Sequence, residues 1–295
     1  MALYAHTLDE LVEMTCKLVL HDWTEGTTTV QGLATTVNDI SRQEETDYWN
    51  SHNSYIYLRS GTDAGHWAKV TDFVVTGGVG IITFAPTADA VTALGITYSL
   101  HTDFPRDEVV SAINLAIDRV AEEALFWKID ETSITLVADT FEYDLPTDFM
   151  FLHRVTMANA DGYFYDAPIP SDQYKIIYGA TPKIHFIQFP ADLKYEGHEY
   201  GRLWANTGLV AGRLLRLEGL GSAATLSTDA ATCPIDPNYI IYQAAATLFL
   251  SRSRGTESDP DDNWKKGTGC QTIANQERER IVSVQLPPDS KRVRE

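Results

Sequence analysis

A chain of 295 residues is long enough for one large domain or for two or three small modules. Hydrophobic residues make up 44% of the sequence and aromatic residues 11%, which predicts a packed core and argues against a disordered chain. The 41 acidic and 23 basic side chains give a net charge of -18, which disfavours a surface that coats nucleic-acid phosphates.

The charge differs between the body of the chain and its C-terminal segment. Residues 264–295 carry seven basic and four acidic side chains. A basic segment after an acidic body suggests contact with an acidic surface, on a neighbouring copy or on another protein. The alternative interpretation is a solvated terminus that simply has this composition.

The first predicted helix begins at a capping box formed by Thr7 and Glu10, in which each side chain accepts a hydrogen bond from the other residue's backbone. Apolar residues then recur at helical spacing as far as Val19, which predicts one buried stripe. We expect this helix to end before Gly26.

An antiparallel β module is predicted over residues 27–100. Runs of β-branched and aromatic residues recur there, separated by turn residues roughly every ten to twelve positions. Gly77-Gly78 lies between two such runs and supplies the positive φ angles of a tight hairpin turn. The pattern favours a small barrel or sandwich.

A second helix is predicted over residues 106–125, because Pro105 suits a helix start and an apolar stripe follows it. A second β module is predicted over residues 130–232, with the strand at 133–137 paired to the run at 141–146. The nearly uninterrupted apolar run at 184–187 indicates a strand that is buried on both faces or lies at an interface.

Two further helices are predicted near the end of the sequence. Asp236-Pro237 marks the start of the third, and Asp259-Pro260 marks the start of a polar fourth helix that runs to about residue 282. Pro287-Pro288 then ends regular structure and favours an extended segment.

These elements predict an α+β fold in which a four-helix core carries two inserted antiparallel β modules and an extended C-terminal arm. Short helices rarely persist alone in water, so we expect them to pack together. The predicted division assigns residues 1–26, 101–129 and 233–285 to the helical core, 27–100 and 130–232 to the two β modules, and 286–295 to the arm.

The sequence contains no nucleophile elbow, zinc-protease helix or phosphate-binding loop that would predict catalysis. The acidic run at residues 259–263 resembles a calcium loop, but Trp264 occupies the position of the sharp-turn glycine and Cys270 that of the bidentate glutamate. Acidic residues at a helix start explain this run better. We therefore predict a protein that is not an enzyme and that carries no cofactor or metal.

The cysteines and histidines support the same prediction. Cys16, Cys233 and Cys270 are widely spaced and odd in number, which suggests neither a disulfide framework nor a zinc site. His185, on an apolar strand, and His198-Glu199, in a predicted loop, are weaker candidates for metal ligands than for structural roles. Residues 1–21 lack the basic region of a signal peptide, and no apolar run reaches the length of a membrane span.

Aromatic residues crowd the first β module, as they would in a stacking platform for sugars or single-stranded nucleic acid. The neighbouring charges are mainly acidic, which disfavours nucleic acid. Filling of the core explains these rings better, and a sugar site stays open as an alternative. The residues are Tyr48, Trp49, Tyr55, Tyr57, Trp67 and Phe73.

Two stretches resemble the head-to-tail adaptor and neck proteins of tailed bacteriophages. The first runs from Phe104-Pro105-Arg106 through Tyr143-Asp144-Leu145-Pro146 to Arg154-Val155, and combines a helix, a strand hairpin and a further strand. The second, residues 48–72, is similar to the β insertion of such virion proteins. The resemblance covers about half of the chain, and its motifs are structural turns and strand ends.

The resemblance implies a virion structural subunit, synthesised in the host cytoplasm, that joins the portal protein to other neck or tail proteins. It implies a homo-oligomeric ring, commonly of twelve copies, that extends the DNA channel. An acidic wall would let DNA pass without specific binding, and no membrane contact is implied. The alternative function is that of a tail-associated carbohydrate-binding or hydrolytic receptor protein.

The resemblance also implies that the C-terminal arm reaches out of its own subunit. Its basic and apolar side chains would complement an acidic groove on the portal or on the next subunit. The alternative is a mobile end without a partner. The predicted docking residues are Val284, Leu286, Lys291, Arg292, Val293 and Arg294.

Overall fold

A computed structural model describes residues 5–19, 22–90, 92–137, 140–164, 168–187, 212–253, 260–281, 287 and 290–293. The helices among these residues are α1 (Leu8–Val19), α2 (Tyr48–Ser51), α3 (Arg106–Asp118), α4 (Pro237–Arg252) and α5 (Pro260–Arg278). The strands among them are β1 (His6–Thr7), β2 (Trp23–Thr27), β3 (Thr36–Asp39), β4 (Ser54–Leu58), β5 (Trp67–Thr76), β6 (Val79–Ala85), β7 (Thr97–Thr102), β8 (Phe126–Thr135), β9 (Glu142–Asp144), β10 (Phe151–Met157), β11 (Tyr174–Ile177), β12 (Lys183–Phe186), β13 (Leu214–Gly221), β14 (Thr232–Cys233) and β15 (Lys291–Arg292).

The chain divides into two compact units, each formed by two separate parts of the sequence. The first unit comprises Met1–Arg119 with Thr225–Ile281, and the second comprises Val120–Ala224 with Val282–Glu295. Every helix in the described residues belongs to the first unit, together with the largest sheet. The α+β class is therefore consistent with the structure, but a separate four-helix core is not supported.

The sheet of the first unit has six antiparallel strands in the order β2-β7-β4-β5-β6-β3. The predicted hairpin turn joins β5 to β6, where Gly77 and Gly78 adopt φ angles of 60° and 80°. Aromatic and aliphatic side chains from alternate positions fill the core beneath the sheet, including Phe73, Phe84 and Tyr98. The described strands form an open sheet and not the closed barrel that the sequence pattern allowed.

Helix α4 contacts α1, α3 and α5. Its N-terminus is capped as predicted, because the Asp236 carboxylate accepts a hydrogen bond of 2.9 Å from the backbone N–H of Asn238. Small residues bring α5 close to α4, since a Cβ on Gly267 would lie only 2.8 Å from Cγ of Leu250. The glycine that weakens α5 as an isolated helix thus permits its packing.

The helix predicted over residues 106–125 ends earlier, at Asp118. Turns follow from residue 119 to residue 123. Val120, Ala124 and Leu125 remain buried, so their helix-like spacing reflects burial in turns at the start of the second unit. Apolar spacing alone does not distinguish these two outcomes.

The second unit contains a four-stranded sheet, β15-β10-β13-β8, and a three-stranded sheet, β11-β12-β9. The predicted pairing of residues 133–137 with 141–146 is wrong: β8 pairs with β13, and β9 pairs with β12. The reason is that β13, in a segment the sequence left undecided, supplies a longer partner for β8. Along β12 only alternate residues are buried, and Ile187 beyond it is 54% exposed, so the prediction of burial on both faces is also wrong.

No helix within the described ranges is both long enough and apolar enough to cross a lipid bilayer.

We predict that Ile113→Asp destabilises the first unit by about 4 kcal/mol, because Ile113 is fully buried on α3 and a carboxylate there would lack a partner. Leu115→Asp on the same helix is the matched control, since Leu115 is 41% exposed. It should change stability by about 0.5 kcal/mol. Urea unfolding followed by circular dichroism measures both, and equal losses would show that the Ile113 face is not a packing face.

Candidate functional site

The N-terminus of α1 is held in two ways. Thr7 and Glu10 form the predicted capping box, with bonds of 3.0 Å from the Thr7 N–H to Glu10 Oε2 and 3.2 Å from the Glu10 N–H to Thr7 Oγ1. The N–H groups of Leu8 and Asp9 then donate to the backbone carbonyls of Ala231 and Asp229. The start of α1 is thereby fixed to the segment before β14.

Arg106, the first residue of α3, carries a buried positive charge next to that segment. Its side chain is 5% exposed, and its Nη2 lies 2.8 Å from Asp229 Oδ1 and 3.2 Å from Asp9 Oδ1. Its guanidinium carbon lies 4.3 Å from the ring centroid of Tyr57 on β4, a cation–π geometry. One guanidinium therefore joins α1, α3, β4 and the segment before β14.

Burial by itself would lower the pKa of Arg106, but Asp229, Tyr57 and Asp9 together outweigh that effect and raise it. Burial also raises the pKa of the Tyr57 hydroxyl, which lies 3.5 Å from Asp229 Oδ2. The arginine stays charged and the tyrosine neutral at neutral pH. Such an arrangement stabilises packing and does not supply a proton donor or acceptor to a substrate.

An open cleft of about 450 Å³ lies beside this ion-pair network. Arg59 forms ion pairs there with Asp9 and with Glu25. Since Asp229 is paired with Arg106, each of these three carboxylates contacts a guanidinium. The cleft is lined by Asp9, Glu25, Gly26, Thr27, Arg59, Thr97, Tyr98 and Asp229.

A second buried arginine fixes the edge of the six-stranded sheet. Arg42 Nε donates to the Tyr98 hydroxyl at 3.1 Å, and that hydroxyl donates to Asp39 Oδ2 at 2.7 Å. Burial would raise the pKa of Asp39, but hydrogen bonds from Tyr98 and Ser41 lower it overall. Gly80 packs directly against Arg42. A side chain at this position would not fit, because a Cβ would lie 2.5 Å from the Arg42 carbonyl oxygen.

Cys16, His101 and Ser99 form a buried group that resembles a nucleophile with its base. Cys16 Sγ lies 3.4 Å from His101 Nδ1, and Ser99 Oγ lies 2.8 Å from His101 Nε2. Burial raises the pKa of the Cys16 thiol to about 12 and lowers the pKa of His101 to about 3. Both groups are neutral at pH 7 and fully buried, so the thiol is neither ionised nor accessible to a substrate.

The histidines considered as metal ligands, and two of the aromatic rings considered as a sugar platform, have other roles or lie outside the described residues. His185 Nδ1 lies 3.1 Å from Glu142 Oε1 on the adjacent strand, while His198-Glu199 falls outside the described residues. Across the part of the chain that the structure describes, no three His, Cys, Asp or Glu residues are arranged to hold a metal ion. Trp49 and Phe73 are buried in the core of the six-stranded sheet, so core filling is the correct interpretation for these two rings.

The predicted docking arm is described in part. Lys291 and Arg292 form β15 on the edge of β10, and Val293 is buried in the core of the second unit. Val284, Leu286 and Arg294 lie outside the described residues.

Sequence reasoning missed Arg106 as a structural centre, although one signal was present. A cation in the first turn of a helix opposes the helix dipole, and so an arginine at that position indicates a nearby carboxylate partner. Asp9 and Asp229 are that partner pair, but they lie 97 and 123 positions away in the sequence. No local pattern identifies them.

Comparison with protein families places the chain among phage structural proteins. A family model described as SU10 adaptor protein matches residues 87–251. Because the match spans more than half of the sequence, the chain belongs to the SU10 adaptor protein family. No curated protein matches the chain significantly.

The family match covers the first stretch that carried the resemblance, residues 104–155, and leaves out the second, residues 48–72. The resemblance to phage adaptors is thus confirmed at the level of the family. The family implies a structural virion component that interacts with other head or tail proteins of the phage.

We predict that Arg106→Met destabilises the first unit by about 1.5–3 kcal/mol, because it removes the charge-assisted hydrogen bond between the buried guanidinium and the Asp229 carboxylate. Arg119→Met is the control, since Arg119 is exposed just beyond α3, and it should cost about 0.5 kcal/mol or less. Equal shifts of the urea midpoint in the two variants would contradict a central role for Arg106.

We predict that His101 makes stability fall as the solution is acidified. Its pKa drops from 6.5 in the unfolded chain to about 3 in the fold, so below pH 6.5 the unfolded state takes up a proton that the folded state does not. The cost is at most about 1.4 kcal/mol per pH unit between pH 6.5 and 3. His101→Gln should flatten the pH dependence of urea stability between pH 4.5 and 7. His52→Gln, at an exposed histidine, is the control for the loss of a histidine. Parallel slopes for His101→Gln and wild type would contradict the assignment.

Proposed function

We propose that the chain is a subunit of the head-to-tail connector ring of a tailed bacteriophage. In this proposal it joins the portal protein to the neck or tail, and the ring, of twelve copies, extends the channel through which DNA passes. The observation that carries the proposal is the adaptor-family match over residues 87–251.

The charge of the chain supports a role as a channel wall. A net charge of -18 per chain repels the DNA phosphates and lowers non-specific binding. DNA could then move past the subunits without being retained by them.

The longer helices of the first unit and its six-stranded sheet are together proposed to form the structural centre of the subunit. Helix α4 contacts α1, α3 and α5, and α1 also contacts α3. The Arg106 network joins the starts of α1 and α3 to β4. A centre fixed in this way keeps its shape while outer surfaces bind partners.

Large apolar side chains that remain exposed supply surfaces for such partners. Leu33 and Leu94 are 63% and 68% exposed on the loops of the first β module, and Trp264 on α5 is 57% exposed. Isolated exposed apolar residues are common; what distinguishes Leu33 and Leu94 is that their loops adjoin, with Thr92 hydrogen-bonded to the Leu33 carbonyl. Burial of this pair in an assembly would contribute to its stability.

We predict that the purified chain, or the chain mixed with the portal protein of the same phage, forms a ring whose mass is a multiple of 32.8 kDa. Native mass spectrometry gives the copy number, and electron microscopy of the mixture locates the ring. The ring should leave duplex DNA unshifted in a gel at physiological salt.

A chain that stays monomeric both alone and with the portal protein would contradict the proposal. Sub-micromolar binding of duplex DNA would contradict the channel-wall role alone. Leu94→Glu should weaken assembly if the loop surface is an interface, and Val137→Glu, at a 59% exposed residue in the second unit, tests whether that effect is specific to the loops.

A further inference from the structure

One side of the four-stranded sheet in the second unit carries two large apolar side chains that are open to solvent. Trp127 and Ile129 lie two positions apart on the edge strand β8, so they project from the same side of the sheet. They are 48% and 50% exposed. The Trp127 ring meets the His153 ring of β10 edge-on, with the two centroids 5.8 Å apart.

Arg154 lies on the same side of this sheet. In the strand register Ile129 is opposite Glu218, and Glu218 is opposite Arg154. Directly opposite residues of neighbouring antiparallel strands share one side of a sheet, whereas the next residue, Val155, packs into the core of the second unit. Trp127, Ile129 and Arg154 together are called the receptor face.

The charge of Arg154 is not matched by a carboxylate of its own subunit. Glu218, the residue opposite it, lies 3.0 Å from Arg216, which also lies 3.2 Å from Glu131. Within the residues that the structure describes, Arg154 forms no ion pair, and its buried Nε meets no hydrogen-bond acceptor. Since a buried N–H without an acceptor costs free energy, this guanidinium is suited to a carboxylate from another molecule.

Most partly buried arginines of the chain do have such a partner. Arg42, Arg59, Arg106 and Arg252 each form an ion pair within the chain. Carboxylates are abundant, because the sequence holds 41 acidic side chains against 23 basic ones. An arginine that is left unpaired beside exposed apolar residues therefore indicates a contact surface, where arginine and tryptophan are both enriched.

The start of α5, in the first unit, has the complementary chemistry. Trp264 is 57% exposed, more than any other tryptophan that the structure describes. Asp261, in the first turn of the same helix, is also exposed. Residues three positions apart are neighbours on a helix surface, so an apolar ring and a carboxylate lie side by side. Asp261 and Trp264 together are called the α5 tip.

We propose that in the ring the receptor face of one subunit binds the α5 tip of the next copy. In this contact Trp264 covers Trp127 and Ile129. Its neighbour Asp261 pairs with Arg154. The inference rests on the proposed ring and names the contact that joins adjacent subunits. Both surfaces are exposed on the same chain, so the chain leaves each of them available to another copy.

The geometry of the two surfaces fits this contact. Ile129 and Arg154 are separated by two strand spacings, about 10 Å, and the long arginine side chain shortens the distance to a carboxylate beside Trp264. Two different surfaces of one chain that bind each other form a heterologous contact, and its repetition closes a ring. Copies with a net charge of -18 repel one another, and a pair of opposite charges at the contact offsets this locally and fixes the register.

Charge reversal tests the pairing. Arg154→Glu places like charges together, so it should raise the chain concentration at which half of the rings dissociate by about 30-fold or more. Asp261→Arg alone should do the same, and the two reversals in one chain should restore the ring. Mass photometry of diluted rings, formed alone or with the portal protein, measures this concentration, and circular dichroism checks that each variant is folded.

Two controls match these variants closely. Arg213 also has a buried nitrogen without a partner among the described residues, but it precedes β13 and is not in the row with Ile129. Arg213→Glu should therefore stay within about twofold of wild type. Asp118 lies three positions after the exposed Leu115 on α3, so it repeats the acidic and apolar pair elsewhere. Asp118→Arg should not restore a ring weakened by Arg154→Glu.

The outcomes separate this inference from the proposed function. Rings that either reversal leaves as stable as wild type, or that the double reversal does not restore, would overturn the contact and leave the ring intact. Should Arg154→Glu not fold, Trp264→Ala decides: it should weaken the ring, whereas Trp67→Ala, at an exposed tryptophan on β5, should not. A wild-type chain that forms no ring contradicts the proposed function and this contact with it.

Discussion

The buried guanidinium of Arg106 constrains the whole first unit, because an unpaired charge in that position would cost several kcal/mol. Its partners come from three distant parts of the sequence: Asp9 at the start of α1, Tyr57 on β4 and Asp229 before β14. The helices and the six-stranded sheet must therefore be in place together for the charge to be satisfied. Hydrophobic burial supplies most of the stability, while this charge restricts which arrangement of the elements is stable.

The first unit places several polar groups of this kind inside its core, and each is matched by a specific partner. Arg42 is held by Tyr98 and Asp39 is held by Tyr98 and Ser41, whereas Cys16 and His101 remain neutral beside each other. Buried polar groups with full complements of partners favour one packing over its alternatives. For a structural adaptor, this specificity gives a subunit of defined shape on which contacts with other copies can be repeated.

The sequence predicted the helix caps correctly, but it did not predict which distant strands pair. The capping box at Thr7 and the N-cap at Asp236 are formed as predicted, since both depend on residues two or three positions apart. The predicted partner of β8 was wrong, because the true partner, β13, lies roughly 80 to 95 positions further along the chain. The ion pairs of Arg106 escaped prediction for the same physical reason: a single sequence records which side chain needs a partner, but not which distant residue folds next to it.

The discontinuity of the second unit sets an order of events during synthesis. Lys291 is made 117 residues after Tyr174, whose carbonyl it contacts, and a ribosome adding about 5–20 residues per second needs roughly 6–25 s to cover that distance. Until Lys291 and Arg292 have been synthesised, β10 cannot pair with β15 of its own chain. Completion of the four-stranded sheet is therefore a late step, which cannot begin until residues 291 and 292 have left the ribosome.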